Sequence, residues 1–111
     1  MKLTVEHSGN GVAIIHAEGK LNMVSAAQLR EEVAATVAAG SSRLVVDFAR
    51  VDFLDSSGLG ALISGLKAAR QAGGDLRLAN TSDQVKLVLQ LTNLEKVLST
   101  VDDASTAYAN G

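Results

Sequence analysis

Leu3, Val5 and His7 alternate with Thr4 and Glu6, the period of two that marks a half-buried strand. Ser8-Gly9-Asn10-Gly11 is a turn signal. Val12-Ala13-Ile14-Ile15-His16-Ala17 reads as a second strand, so the first two form a hairpin. Glu18-Gly19-Lys20-Leu21-Asn22 then reads as a connecting loop. Ser25, followed three residues later by Gln28, matches a capping box. Leu29, Val33 and Val37 continue at helical spacing, and Gly40 suits the stop. After the short loop Ser41-Ser42, Arg43 to Phe48 is nearly all apolar, as expected of a strand buried on both faces.

A further apolar stretch, Val51-Asp52-Phe53-Leu54, leads into a second helix from about Ser57 to Ala72, with Leu59, Leu62, Ile63 and Leu66 at helical spacing. Gly73-Gly74 ends it. Asp75 to Ala79 alternates and predicts a strand. Thr81-Ser82-Asp83-Gln84 is a second capping box, opening a helix that carries Val85, Val88, Leu89 and Thr92 on one face. Lys96 to Val101 predicts a short strand, and Asp102-Asp103 would cap a final helix containing Ala104, Ala107 and Tyr108. The order is β-β-α-β-α-β-α-β-α, with about four helices. Strands separated by helices imply parallel pairing, and the opening hairpin makes the sheet mixed. The expectation is an α/β fold with a mixed, mostly parallel sheet, in one domain spanning residues 1–111.

The 111 residues can bury a modest core, and with aromatics scarce, Val, Leu, Ile and Ala must fill it. A net charge of −2 and the lack of a basic cluster argue against nucleic acid or an anionic membrane as partner. With no cysteine, disulfides, thiolate metal sites and cysteine nucleophiles are excluded. The amino terminus does not read as a signal peptide, and no apolar run approaches a membrane span. A cytoplasmic location without membrane insertion is expected.

Enzyme templates find little here. His7 and His16 read as ordinary strand residues, with no third ligand spaced to make a metal site. No glycine-rich loop ends in the Lys-Ser/Thr of a phosphate loop. Gly58-Leu59-Gly60 is a fragment of a dinucleotide fingerprint whose third glycine position is Ile63. No catalytic residue, metal or cofactor is assigned, and the chain is not expected to be an enzyme.

The chemistry that remains is the run Asp55-Ser56-Ser57-Gly58-Leu59-Gly60, where strand or turn hands over to helix. A helix start has free backbone N–H groups and a partial positive charge. Asp55, Ser56 and Ser57 can act there simply as caps, Ser57 being the better cap candidate. The alternative is phosphorylation. A phosphate brings about −1.5 to −2 charges, which a helix start tolerates but a docked partner would not. Gly58, Gly60 and Gly65 each cost helix stability, on the order of 1 kcal/mol. They point either to tight helix-on-sheet packing or to a bare helix end kept open for a partner.

The segment from Leu44 to Gly60 closely resembles the core of STAS domains, and most of all the stand-alone anti-sigma factor antagonists of bacterial partner-switching systems. Gly19-Lys20-Leu21-Asn22 is similar to the family's Gly-x-Leu-Asp element. Gly73-Gly74-Asp75-Leu76 resembles the turn and strand after the second helix, and Val85 to Leu94 the third helix. The resemblance implies a STAS domain over 1–111 and a switch. The unphosphorylated protein would bind an anti-sigma factor that is also a serine kinase, releasing a sigma factor that regulates transcription. The kinase would phosphorylate Ser56, which follows the motif's aspartate, and a metal-dependent serine phosphatase would reset it. Asn22, Met23, Asp55, Ser57, Gly58 and Leu59 would form the partner-binding surface. A constitutive STAS subunit of a lipid-transport ATPase or signalling scaffold is the alternative. Asn22 departs from the family's aspartate, keeping its size and losing its charge.

Overall fold

The computed structural model describes residues 1–108. Five strands form one sheet in the order β1-β2-β3-β4-β5. They are β1 (Lys2–Gly9), β2 (Val12–Leu21), β3 (Arg43–Leu54), β4 (Asp75–Ala79) and β5 (Ser99–Val101). β1 pairs antiparallel with β2, and every later pairing is parallel. The hairpin turns at Asn10-Gly11, both at positive φ (56° and 75°), the geometry that matches strand twist.

Three helices, α1 (Met23–Ala38), α2 (Ser56–Gln71) and α3 (Asp83–Leu91), cross between the parallel strands. Every crossover runs the same way along the sheet, so right-handed connections put all three on one face. There Leu29 and Val33 of α1, Leu62 and Leu66 of α2 and Val85 and Leu89 of α3 meet Ala13, Ile15, Leu44, Val46, Leu76 and Leu78 from the sheet, all buried. Gly65 belongs to this packing, since a Cβ there would lie 3.1 Å from Leu76 and 3.3 Å from Val33.

The opposite face carries a smaller cluster, Ile14, Val45 and Ala79, covered by Ala104 and Ala107. Tyr108 fastens this cover. Its hydroxyl donates to the Leu44 carbonyl at 2.7 Å, and the Arg77 guanidinium lies 4.3 Å from its ring centre. Burial pushes its phenol up to about 12.

The strand and helix order holds, with corrections. β2 extends through the expected loop to Leu21, because Glu18, Gly19, Lys20 and Leu21 pair with Arg50, Val51, Phe53 and Leu54 of β3. Two register shifts and Gly19 at φ 112° absorb the mismatch. α1 starts at Met23 rather than behind Ser25. Asn22 is the cap, and Ser25 is the third helical residue of the box. Gln28 instead donates to the Met1 carbonyl at 3.0 Å. The α3 cap is Ser82 rather than Thr81. Lys96 ends a 3₁₀ turn, Leu94–Lys96, so β5 begins only at Ser99. The final helix is also a single 3₁₀ turn, Ala104–Thr106, capped by Asp103. Three α-helices are therefore present among the described residues, not four.

Candidate functional site

Leu21 and Leu54 face each other at the carboxyl ends of β2 and β3, and each is followed at once by a capping residue. The Oδ1 of Asn22 accepts from the amides of Val24 (3.0 Å) and Ser25 (3.2 Å). The Asn22 amide in turn donates to Ser25 Oγ at 3.0 Å. Asp55 Oδ1 accepts from the Gly58 amide at 2.9 Å. Two helix starts thus stand side by side on one edge of the sheet, with the start of α3 following β4 on the same edge.

The two starts are locked together. The Asp55 amide donates to the Leu21 carbonyl at 3.2 Å. A Cβ on Gly58 would lie 2.5 Å from that carbonyl oxygen and 2.7 Å from Leu21 Cγ, closer than real contacts allow. Gly58 is therefore a packing residue, required by the approach of α2 to the end of β2. Gln84 of α3 fixes the strand end from the other side. Its Oε1 accepts from the Leu54 amide and its Nε2 donates to the Leu54 carbonyl, each at 3.1 Å. The sequence marks Gln84 only as the last residue of the Thr81-Ser82-Asp83-Gln84 capping box; with Ser82 as the cap, its side chain grips this distant strand end instead.

The capping role falls to Asp55, not Ser57. A carboxylate one residue before the helix reaches the third helical amide, whereas Ser57 is already the second helical residue. Ser56 is the first helical residue and is exposed. Its hydroxyl, and the backbone amides of Ser56 and Ser57, take no hydrogen-bond partner among the described residues. An oxyanion on Ser56 would meet these free N–H groups and the positive end of α2.

Around this point Met23 and Val24 are 75% and 86% exposed, an apolar pair on the first turn of α1. Asn22, Asp55 and Ser57 are part-exposed, while Gly58 and Leu59 are buried. The last two shape the edge from beneath rather than present a surface. Val24 is an exposed neighbour that no motif in the sequence singles out. Of the three glycines of α2, Gly58, Gly60 and Gly65, only Gly60 has room for a side chain. A Cβ there meets only the Arg30 guanidinium, at 3.6 Å. Gly60→Ala is expected to raise stability by up to about 1 kcal/mol in denaturant melts, because it removes helix-entropy cost without a clash.

Asn22 performs the capping that an aspartate would perform. Asn22→Asp is expected to keep the box and add about 0.3–1 kcal/mol of stability at low salt, from a full charge at a helix start. Chemical denaturation of both forms at two ionic strengths measures it.

A mixed, mostly parallel sheet with its three helices on one face and its helix starts gathered on one edge defines an α/β domain of two layers. Residues 3–107 match the STAS domain family, and the chain belongs to that family. BtrV of Bordetella bronchiseptica, a proposed anti-sigma factor antagonist, is 31% identical over 98% of this chain and 93% of its own length. The anti-sigma-F factor antagonist RsfB of Mycobacterium tuberculosis is 31% identical over 92% of this chain and 85% of its own. The fold is shared with the anti-sigma factor antagonist SpoIIAA in its unphosphorylated form, at 22% identity, TM-score 0.80, covering 95% of this chain and 92% of that one. It is shared too with SpoIIAA of Bacillus in the phosphorylated form, at 21% identity, TM-score 0.72, covering 95% and 96%.

Proposed function

We propose that this chain is an anti-sigma factor antagonist whose docking edge is switched by phosphorylation of Ser56. The observation that carries the reading is an exposed, unbonded hydroxyl on the first residue of α2, beside the exposed Met23 and Val24. The names of BtrV and RsfB support the class of partner. The unphosphorylated edge binds an anti-sigma factor with serine kinase activity and so releases a sigma factor. Asn22, Met23, Ser57 and Asp55 contribute the rim of that surface, and Val24 extends its apolar part. Phosphate on Ser56 places a divalent, hydrated group where the partner must come into contact, and a metal-dependent serine phosphatase removes it. The reading is a regulatory binding protein that works in the cytoplasm.

The test is incubation with ATP and the cognate kinase, followed by intact mass and peptide mapping. A single phosphate on Ser56 is expected, absent from Ser56→Ala. Phosphate on Ser57 with Ser56 free overturns the assignment. Failure of any such kinase to modify the protein, together with its co-purification with a transport ATPase, would identify a constitutive STAS subunit instead.

A further inference from the structure

The sheet face turned away from the helices holds a second constellation, far in sequence from the serine motif. His16 of β2 lies between two carboxylates on different strands. Its Nδ1 is 2.8 Å from Asp47 Oδ2 of β3, and its Nε2 is 3.0 Å from Glu6 Oε1 of β1. Both ring nitrogens face acceptors, and only an imidazolium has a proton for each. The second oxygen of Asp47 is occupied as well. Oδ1 accepts from Asn80 Nδ2 at 2.9 Å and from the Ala49 amide at 3.0 Å. Ala49 sits where the β2–β3 register shifts, between the pairs His16–Asp47 and Glu18–Arg50, so Asp47 holds a bulge in place.

In the sequence alone His16 is an ordinary strand residue. The signal was present only as polar positions on one face of three strands. Glu6 is diagonal to His16 across the hairpin, whereas Asp47 is directly opposite it in β3.

We propose that His16 is a proton-operated clamp: as an imidazolium it ties the edge strand β1 to β3 through Glu6 and Asp47, and on losing its proton it lets Glu6 go. A neutral ring keeps one N–H. Asp47 is the better-buried acceptor, with 15% side-chain exposure against 61% for Glu6. The remaining proton stays on Nδ1, and the Nε2 lone pair then faces the Glu6 carboxylate. That contact turns repulsive, and Glu6 swings into solvent.

The surrounding charges do not supply a substitute. Lys2, Thr4, Glu18, Ala49 and Arg50 line a cleft of about 440 Å³ beside the ring, open enough for water to exchange the proton. Lys2 and Arg50 oppose the positive ring, whereas Glu18 favours it. Asp103 lies near enough to Asp47 for their charges to interact, which adds negative field. Arg77, on the same face of β4, is held by Asp75 and the Ala107 carbonyl. The hydrogen bond to Glu6 first, opposed by partial burial and aided by Asp47, holds the His16 ring above its ordinary value of about 6.5. Partial burial alone would raise Asp47. Its hydrogen bonds from Asn80, the Ala49 amide and His16 outweigh this and keep it below the usual carboxylate range.

The sign follows from linkage. A base with a raised folded value contributes stability that is complete below its unfolded value of about 6.5 and is lost as pH rises through the folded midpoint. The reach of the clamp goes beyond β1 itself. Met1 accepts from Gln28 of α1, and its Cα lies 3.6 Å from where a Gly19 side chain would begin. Loosening β1 therefore reaches the strand end that carries Asn22.

An NMR pH titration of the His16 ring in the whole protein tests the proposal, with His7→Gln used to assign the two histidine signals. The expected midpoint lies above about 6.5. Ring ¹⁵N shifts should show an imidazolium below the midpoint and the Nδ1–H tautomer above it. Glu6→Gln should lower the midpoint, and it should shrink the fall of a few degrees in wild-type melting temperature between about pH 6 and about pH 9. A midpoint at or below the ordinary value, an Nε2–H tautomer, or a midpoint unmoved by Glu6→Gln would each overturn it. The titration needs no binding partner, so its outcome is independent of the role of Ser56.

Discussion

Phosphorylated at Ser56, the protein is expected to bind its anti-sigma partner at least about 100-fold more weakly than the free form, while melting within a few degrees of it. A loss of that size is about 2.7 kcal/mol. It is the scale expected when a divalent anion must be stripped of water, or must face like charge, inside a contact. The fold itself has no reason to yield. Ser56 is exposed, its hydroxyl breaks no internal bond on modification, and two backbone amides at the head of α2 stand free to receive the phosphate oxygens. An anion at such a place stabilises a helix by about 0.3–1 kcal/mol. Calorimetric titration of the two forms against the partner, with thermal melts of each, measures both halves. Ser56→Ala should bind within a few-fold of the wild type. Ser56→Asp should fall between, since one carboxylate carries about half the charge and lacks the bulk. Equal affinity of the phosphorylated and free forms would sink the switch. A collapse in melting temperature on phosphorylation would show that the block works through unfolding instead.

Gly58→Ala is expected to cost about 3 kcal/mol or more, lowering the melting temperature by roughly 10 °C or more. The new methyl would sit 2.5 Å from the Leu21 carbonyl oxygen, and a backbone atom cannot turn aside as the end of a side chain can. Relief would require α2 to lift away from β2, which breaks the Asp55 amide bond to the same carbonyl and opens the packing of Leu59 and Leu62. Against a total stability of about 5–15 kcal/mol, one methyl group removes a large share. The comparison with Gly60→Ala, two residues on in the same helix, is internal: the sign should reverse. Urea denaturation of both variants decides it, and similar effects at the two positions would contradict the steric account.

The outline of this architecture was readable in the chain. Alternation in β1, the continuous apolar run in β3 and the spacing of Leu59, Leu62 and Leu66 each report local period, and local period is what a sequence displays. Boundaries failed where a non-local partner decided them. Glu18 to Leu21 has the composition of a loop and becomes strand only because β3 runs beside it. Asn22 and Asp55 took the caps from Ser25 and Ser57 because the paired strands β2 and β3 end together, at Leu21 and Leu54, just before them. The last segment kept its cap, Asp103, but was too short on apolar residues to turn more than once before Tyr108 was drawn to the sheet. Within the site, Ser56 stood out by motif. Gln84 and Val24 did not, since a side chain that grips a distant strand end, or lies bare on a first turn, leaves no periodic trace. The His16 constellation was invisible for the same reason, because it exists only once three strands are in register.

Three helix starts on one edge of the sheet have a consequence for how fast partners meet. The chain carries a net charge of −2, and that edge sets the positive ends of α1, α2 and α3 against the carboxylates of Asp55 and Asp83, which sit at two of them. The two contributions offset one another, so the unmodified edge exerts little pull of either sign on an approaching partner. Added salt should therefore change the association rate of the free protein little. Phosphate on Ser56 breaks that balance by adding about −1.5 to −2 charges, so a modified molecule would turn an acidic partner away during its approach as well as reject it on arrival.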